Sequence, residues 1–349
     1  MKKILITGGA GFVGSHTALL FLERGYDVDI LDSFCNSHIE TVKKIEYLKK
    51  IYNFKNSLKI IKGDIRDKKI LESIFSNAIS KNNPIHAVIH FAGLKSVAES
   101  VKYPDKYWDF NVNGSLNLFN IMDKFECRNI VFSSSATVYK TNNNFELLKE
   151  NSEIKPTNPY GQTKAEVEKL LLDINRKFNE LWKIVILRYF NPIGCHPSGL
   201  LGEDPFGIPN NLFPLILKVS SREIPNLKIF GNDWPTHDGT PLRDYIHVMD
   251  LAEAHEIALS DLLKNQSKLS ILNIGTGVGT SVLELLETFK SVNNIDLPYI
   301  IAERREGDVP FLVADNSLAL KKLNWFPRRT IRDMCRDGWK WKKMNAINS

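Results

Sequence analysis

Residues 6–25, "ITGGAGFVGSHTALLFLERG", decide how the rest of the chain is read. The apolar run Lys3–Thr7 enters this stretch as a strand, Gly8, Gly9, Gly11 and Gly14 punctuate it, and an amphipathic helix follows as far as Gly25. The spacing satisfies both GxGxxG (9, 11, 14) and the looser GxxGxxG (8, 11, 14). Glycines so placed allow a tight turn and a close approach of backbone to an anion, while the helix N-terminus offers unpaired N–H groups. Asp32 stands at the end of the second apolar run, 18 residues after Gly14. A carboxylate there can bind the adenosine ribose hydroxyls of a dinucleotide and repels a 2′-phosphate, so NAD is expected rather than NADP.

Working outward, residues 27–31, 58–62, 86–91, 129–133 and 184–190 are further short apolar runs separated by helix-length segments. Near-continuous apolar strands alternating with helices predict a doubly wound, parallel α/β sheet covered on both faces. Asp64 and Ile65 follow the third strand, and Phe91, Ala92, Gly93 and Lys95 close or follow the fourth. These are carboxyl ends of strands, where open α/β sheets bind ligands. His90, inside the fourth run, reads as a packed strand residue.

After Phe190 the texture changes to the Pro- and Gly-dense "NPIGCHPSGLLGEDPFGIPNN", followed by helices near 212–221, 248–263, 281–291 and 330–342. The organisation expected is a nucleotide-binding domain over 1–190, joined by part of 245–290, and a smaller mixed α/β substrate lobe over 191–349. "TNNN" at 141–144 reads as an exposed turn, and Trp339 and Trp341 as packing anchors.

Composition excludes several classes. The 349 residues carry 46 basic and 40 acidic side chains, a net charge of +6, dispersed without a basic block. No nucleic-acid partner is therefore expected. Cys35, Cys127, Cys195 and Cys335 form no CxxC, and the eight histidines show no ligand spacing, so neither a disulfide framework nor a metal site is expected. No stretch approaches the ~18 apolar residues that span a bilayer, and the opening "MKKILIT" is too short for a signal segment. The expectation is a cytoplasmic protein with no membrane association.

The stretch "NPYGQTK" (158–164) places Tyr160 and Lys164 on one helix face if the helix begins at Pro159, as apolar residues at 167, 170, 171 and 174 support. An ammonium beside a phenol favours the phenolate, which is one way to make a general base near neutral pH. "VFSSSATVY" (131–139) sets Ser133, Ser134 and Ser135 where the fifth strand ends. A hydroxyl there can hold an alcohol or carbonyl oxygen beside the phenol, although serines at a strand end also serve simply as turn formers.

With these motifs the chain resembles the extended short-chain dehydrogenase/reductases and, among them, the UDP-glucose 4-epimerase (UDP-galactose 4-epimerase) family. The likeness also runs through "GDIRD", "NVNGSLNL", "LRYFNPIGCHPSG", "IFGNDWPT", "RDYIHVMDLA", "NIGTGVGTSVLE" and "RREGDVP", nearly the whole chain. The resemblance implies reversible inversion at C4 of UDP-glucose and UDP-galactose with tightly held, recycled NAD. Tyr160 would exchange the proton of the sugar 4-hydroxyl, Ser135 would bond the same oxygen, and Lys164 would bond the nicotinamide ribose and lower the tyrosine pKa.

By the same resemblance Phe12, Val13, Asn36, Ser37, Asn111 and Phe190 join Asp32, Asp64, Ile65, Phe91 and Lys95 around NAD. Asn191, Asn211, Leu212, Ile229, Phe230, Arg243, Arg305 and Asp308 would line the UDP side, the two arginines having the right chemistry for a diphosphate. Leu312 takes a position that is a bulky tyrosine in some relatives, and its smaller side chain implies that UDP-GlcNAc and UDP-GalNAc are also admitted. Relatives are often homodimers through a helical face of the first domain, and apolar residues 116, 118, 119 and 121 could serve that interface or the core.

The chain departs from the family at Lys140, where a glycine is usual, and in the loop that follows. Two competing functions share the same framework. Sugar-nucleotide 4,6-dehydratases carry an Asp-Glu pair directly after the strand-five hydroxyl, where this chain has Ala136 and Thr137. A catalytically silent NAD sensor would have no need of the tyrosine and lysine.

Overall fold

The apolar runs form β-strands, and all but the edge run Leu58–Lys62 bury side chains on both faces. The computed structural model describes residues 2–140, 145–178, 181–207, 209, 211–264, 269–305 and 307–347. The turn read at 141–144 lies outside them. Strands β1 (Lys3–Thr7), β2 (Asp27–Asp32), β3 (Leu58–Lys62), β4 (Ile85–His90), β5 (Asn129–Ser135) and β6 (Lys183–Tyr189) join a seventh strand, Leu269–Ile274, in one sheet. Its spatial order is Leu269–Ile274, β6, β5, β4, β1, β2, β3. The pairs β1–β2, β2–β3, β1–β4 and β4–β5 run parallel. The strand order reverses between β1 and β4, so the turns that follow these two strands flank the point where an open α/β sheet binds ligands.

The described residues fold into two compact units, and the sheet supplies the core of the first, which comprises 1–138, 154–188 and 252–272. Leu5, Val88, Ile130, Phe132, Leu171, Trp182 and Ile186 pack together there. Each fully buried Leu or Ile contributes about 1.5–3 kcal/mol relative to exposure. Helix Pro159–Lys177 presents Val167 and Leu171 to this core. Its start is fixed by sequence: Pro159 occupies the first turn, and the Asn158 side chain accepts a hydrogen bond from Gly161 N at 2.9 Å.

The second unit comprises 139–153, 189–251 and 273–349. Phe213, Leu217, Phe289, Met334 and Trp341 form its core, and Trp339 packs edge-on to Phe289 at 6.2 Å. Its strands are short: Asn191–Ile193 pairs with Tyr245–His247, Leu227–Phe230 with Tyr299–Ala302, and Leu242–Arg243 with both Thr280–Ser281 and Phe311–Leu312. Its helices run Leu212–Ser220, Val282–Asn293 and Ile331–Ile347, with Val248–Lys264 passing from this unit into the first. Of the apolar residues read at 116–121, Leu118, Phe119 and Ile121 belong to the core of the first unit and Leu116 is exposed.

Candidate active site

The turn after β1 is held shut by backbone. Gly8 adopts φ +72°, and a Cβ there would lie 2.7 Å from Ala92 N and 2.9 Å from the Phe91 carbonyl carbon, so the turns after β1 and β4 touch through main chain alone. A Cβ at Gly14 would likewise collide with the Gly8 carbonyl and sit 2.9 Å from Gly9 Cα. No side chain caps the helix Phe12–Glu23, so the amides of its first turn, at Phe12, Val13 and Gly14, have no side-chain partner. Gly11 stands at its N-cap position.

Asp32 is buried and ties three segments together. Its Oδ2 accepts Ala10 N at 2.9 Å, and its Oδ1 accepts Phe34 N and Ser37 Oγ, each at 2.9 Å. Asn36 lies exposed between them. Asp64 is tied to Arg66, whose guanidinium donates to it at 2.8 and 3.1 Å and stacks 3.5 Å over Phe110. Ile65 is buried next to it in the core. Helix-end amides without a side-chain cap, a turn too tight for side chains and a buried carboxylate at the end of β2 fit a dinucleotide without a 2′-phosphate.

Around β4 the polar groups interlock. Phe91 N donates to Thr7 O at 3.0 Å, and Ala92 N to Thr7 Oγ1 at 3.4 Å. Asn111 accepts Leu94 N at 2.7 Å and donates to Leu94 O and Thr163 Oγ1, so it fixes the Gly93–Lys95 turn against the helix Pro159–Lys177. Asn111 lies in a π-helical turn, Trp108–Asn113, a conformation that recurs at functional sites. His90 bonds Thr7 Oγ1 and Ser115 Oγ, and its burial lowers its pKa to about 3, so it stays a neutral packed residue.

Tyr160, Lys164 and Ser135 come together. Ser135 lies beside the Tyr160 phenol, and its own hydroxyl accepts Thr137 N and Thr137 Oγ1 at 3.2 and 3.0 Å. Lys164 Nζ donates to Ser133 O at 2.9 Å and lies 6.0 Å from the Tyr160 ring centre. One expectation is corrected here: burial pushes the phenol up to about 12, opposed only by Ser135. Lys164 does not lower it because the amine is itself buried, is turned to the Ser133 carbonyl, and is pulled down to about 8. Ser133 Oγ bonds His255 Nε2 at 2.9 Å, and His255 rests against Phe91 at 4.8 Å.

In the second unit, Phe190 is buried and Asn191 N donates to Asp244 O at 3.0 Å. Arg243 donates to the carbonyls of Leu242 and Val309, both at 2.9 Å, and pairs with Asp308. Leu312 pairs with Arg243 across adjacent short strands. Arg305 stacks 3.9 Å over Phe230, which follows buried Ile229. Asn211 opens the helix of Leu212 and donates to Glu203 at 3.3 Å.

Sequence reasoning missed several residues. Asp244 is buried and gathers Thr276 N, Gly277 N and Ala314 N at 2.7–3.2 Å, anchoring two loops of this unit. Glu168 sits four residues beyond Lys164 on the same helix face, a spacing that could have found it. Nothing in the local sequence points to Arg188 or His255.

A sequence model of the GDP-mannose 4,6 dehydratase family matches residues 5–338. The chain is 44% identical to the UDP-glucose 4-epimerase of Bacillus subtilis over 343 residues, 98% of this chain and 97% of that one. The chain belongs to the UDP-glucose 4-epimerase family. Among solved structures, the UDP-glucose 4-epimerase of Stenotrophomonas maltophila, crystallised with NAD and formylated UDP-arabinopyranose, superposes with a TM-score of 0.93 at 42% identity, over 100% of both chains. That of Bifidobacterium longum, in complex with NAD+ and UDP, gives 0.91 at 40% identity, again over 100% of both. This UDP-glucose 4-epimerase family member therefore shares with those structures the doubly wound sheet and the accessory strands described above.

Proposed function

We propose that the protein inverts C4 of UDP-glucose and UDP-galactose reversibly, with NAD retained through the cycle. The observation that carries this reading is Ser135 set beside Tyr160, with Ala136 and Thr137 as the next residues. A dehydratase needs carboxylates at that point; here Ala136 is buried and Thr137 is spent on Ser135.

NAD is held by the Gly8–Gly14 turn, the amides of Phe12 and Val13, and Asp32. When bound it supplies a reversible hydride acceptor for sugar C4. Tyr160 carries the proton: it takes it from the 4-hydroxyl of one epimer and returns it to the 4-oxygen of the other. Ser135 donates to the same oxygen and steadies the 4-ketosugar. Lys164, held by the Ser133 carbonyl, bonds the nicotinamide ribose when NAD is present.

Asn191, Asn211, Leu212, Ile229, Phe230, Arg243, Arg305 and Asp308 hold UDP, the two guanidiniums facing the diphosphate. UDP stays fixed and the ketosugar turns, which requires firm binding of the nucleotide and a permissive pocket for the sugar. Leu312, smaller than tyrosine, also admits N-acetylated UDP-hexoses. The enzyme works in the cytoplasm as a homodimer, an assembly supported by exposed Val101, Trp108 and Leu116.

The test is to incubate purified protein, without added cofactor, with UDP-galactose and separately with UDP-GalNAc, and to resolve the products. Conversion of UDP-galactose to UDP-glucose is expected. Failure to invert either sugar while NAD is measurably bound ends the epimerase reading.

A further inference from the structure

One buried ion pair next to the site has no part in the chemistry so far. Glu168, 3% exposed, lies four residues from Lys164 and eight from Tyr160, so all three project from one face of the helix Pro159–Lys177. Arg188, also 3% exposed, reaches it from β6 and donates through Nε at 3.0 and 3.2 Å and through Nη2 at 2.6 Å. Ser134, between the site residues Ser133 and Ser135, donates its hydroxyl to the same carboxylate.

Burying such a pair is a weak source of stability, because the desolvation of both ions offsets their attraction. Its position suits another purpose. We infer that Glu168, held by Arg188, is a positioning residue for the proton-carrying pair: it keeps Lys164 charged and, through Ser134, pins the strand end that bears Ser133 and Ser135. This rests on the epimerase reading above and adds to it a residue that touches neither sugar nor cofactor.

The surrounding charges support the assignment. Burial drives Lys164 toward the neutral amine, and Glu168 is the group that opposes it. From β4, His90 faces the amine as a neutral ring. From β5 come Phe132, 4.9 Å from Nζ, and the Ser133 carbonyl. From the helix Val248–Lys264, His255 is bonded to Ser133 Oγ. On the segments packed outside this helix, Glu99 is paired with Lys106 and Asp109 with Arg66. Among the described residues of the helix Pro159–Lys177 and β6, the buried charged side chains are Lys164, Glu168 and Arg188.

Removing a negative charge lowers the proton-loss pKa of a neighbouring group such as Lys164, and removing a positive charge raises it. In NAD-loaded protein turning over UDP-galactose, Glu168→Gln should move the whole kcat–pH profile down by about one pH unit, and Arg188→Met should move it up by a similar amount. Glu168→Asp, which keeps the charge, should restore the position of the profile. A merely structural role lowers the height of the profile or the Tm and leaves its midpoints in place.

The opposite signs keep the inference testable if one variant folds poorly. Wild-type protein assayed in parallel separates the two claims: if it does not invert UDP-galactose, the epimerase reading is at fault. If it does, and the variant midpoints coincide with its own, the role assigned to Glu168 is overturned.

Discussion

Gly14→Ala tests the nucleotide cradle most directly. The added methyl would meet only backbone: the Gly8 carbonyl oxygen, Gly9 Cα at 2.9 Å and Gly8 C at 3.0 Å. Comfortable contact between carbons begins near 3.5 Å, so turn and helix must part by roughly half an ångström or more, and no side-chain rotation relieves it. Overpacking of this kind costs about 1–3 kcal/mol. The displaced groups are the turn and the first-turn amides proposed to face the pyrophosphate. At about 1.4 kcal/mol per tenfold, NAD affinity should fall by roughly 10- to 100-fold, with a drop of a few degrees in Tm. Gly11→Ala is the comparison, since its nearest neighbour would be Gly8 O at 3.3 Å, a strain that a shift of tenths of an ångström removes. NAD content of the purified protein, titration calorimetry and thermal unfolding read both variants. If Gly14→Ala binds NAD as wild type does, the turn is not the cradle, whatever happens to Tm.

Tyr160→Phe should retain NAD and lose about 10²- to 10⁴-fold in turnover, measured by coupled assay; near-wild-type turnover would remove the phenol from proton transfer. Leu312→Tyr should suppress UDP-GalNAc conversion well before UDP-galactose conversion, and an equal loss on both substrates would count against a gate. His90, with a folded pKa of about 3 against 6.5 unfolded, takes up its proton in the unfolded chain first. Its contribution to stability is complete above pH 6.5 and is lost as pH falls, about 2 kcal/mol by pH 5. Urea unfolding at pH 7 and pH 5 should therefore show a steeper loss in wild type than in His90→Gln, and equal losses would refute the assignment.

The sheet was legible because its inner strands are apolar on both faces and are divided by glycine turns and helix-length segments. The same-face placement of Tyr160 and Lys164 followed from helical spacing alone, with Asn158 and Pro159 marking the start. The phenol's direction of titration was not legible, because it depends on how deeply both partners are buried, and spacing carries no information on depth. Arg188 was hidden inside an apolar strand, its partner twenty residues away on another element. His255 approaches Ser133 from 122 residues further along the chain. The residues proposed to line the UDP side sit on two- to four-residue strands, loops and one helix start with no period to read, and only the resemblance to a family picked them out.

The π-helical turn at Trp108–Asn113 is inserted between the helical residues Pro104–Tyr107 and Gly114–Lys124. It works as a splice that accommodates one residue more than an α-helix would use. Deleting a single residue there would return the backbone to regular α-helix with its two flanks keeping their faces, and the residues inside the turn would be re-aimed. Asn111 would then swing off Leu94 and Thr163, and the turn after β4 would lose its tether to the helix that carries the tyrosine. Surface loops of this chain can gain or lose residues at little cost, but in this helix the residue count is itself part of the site.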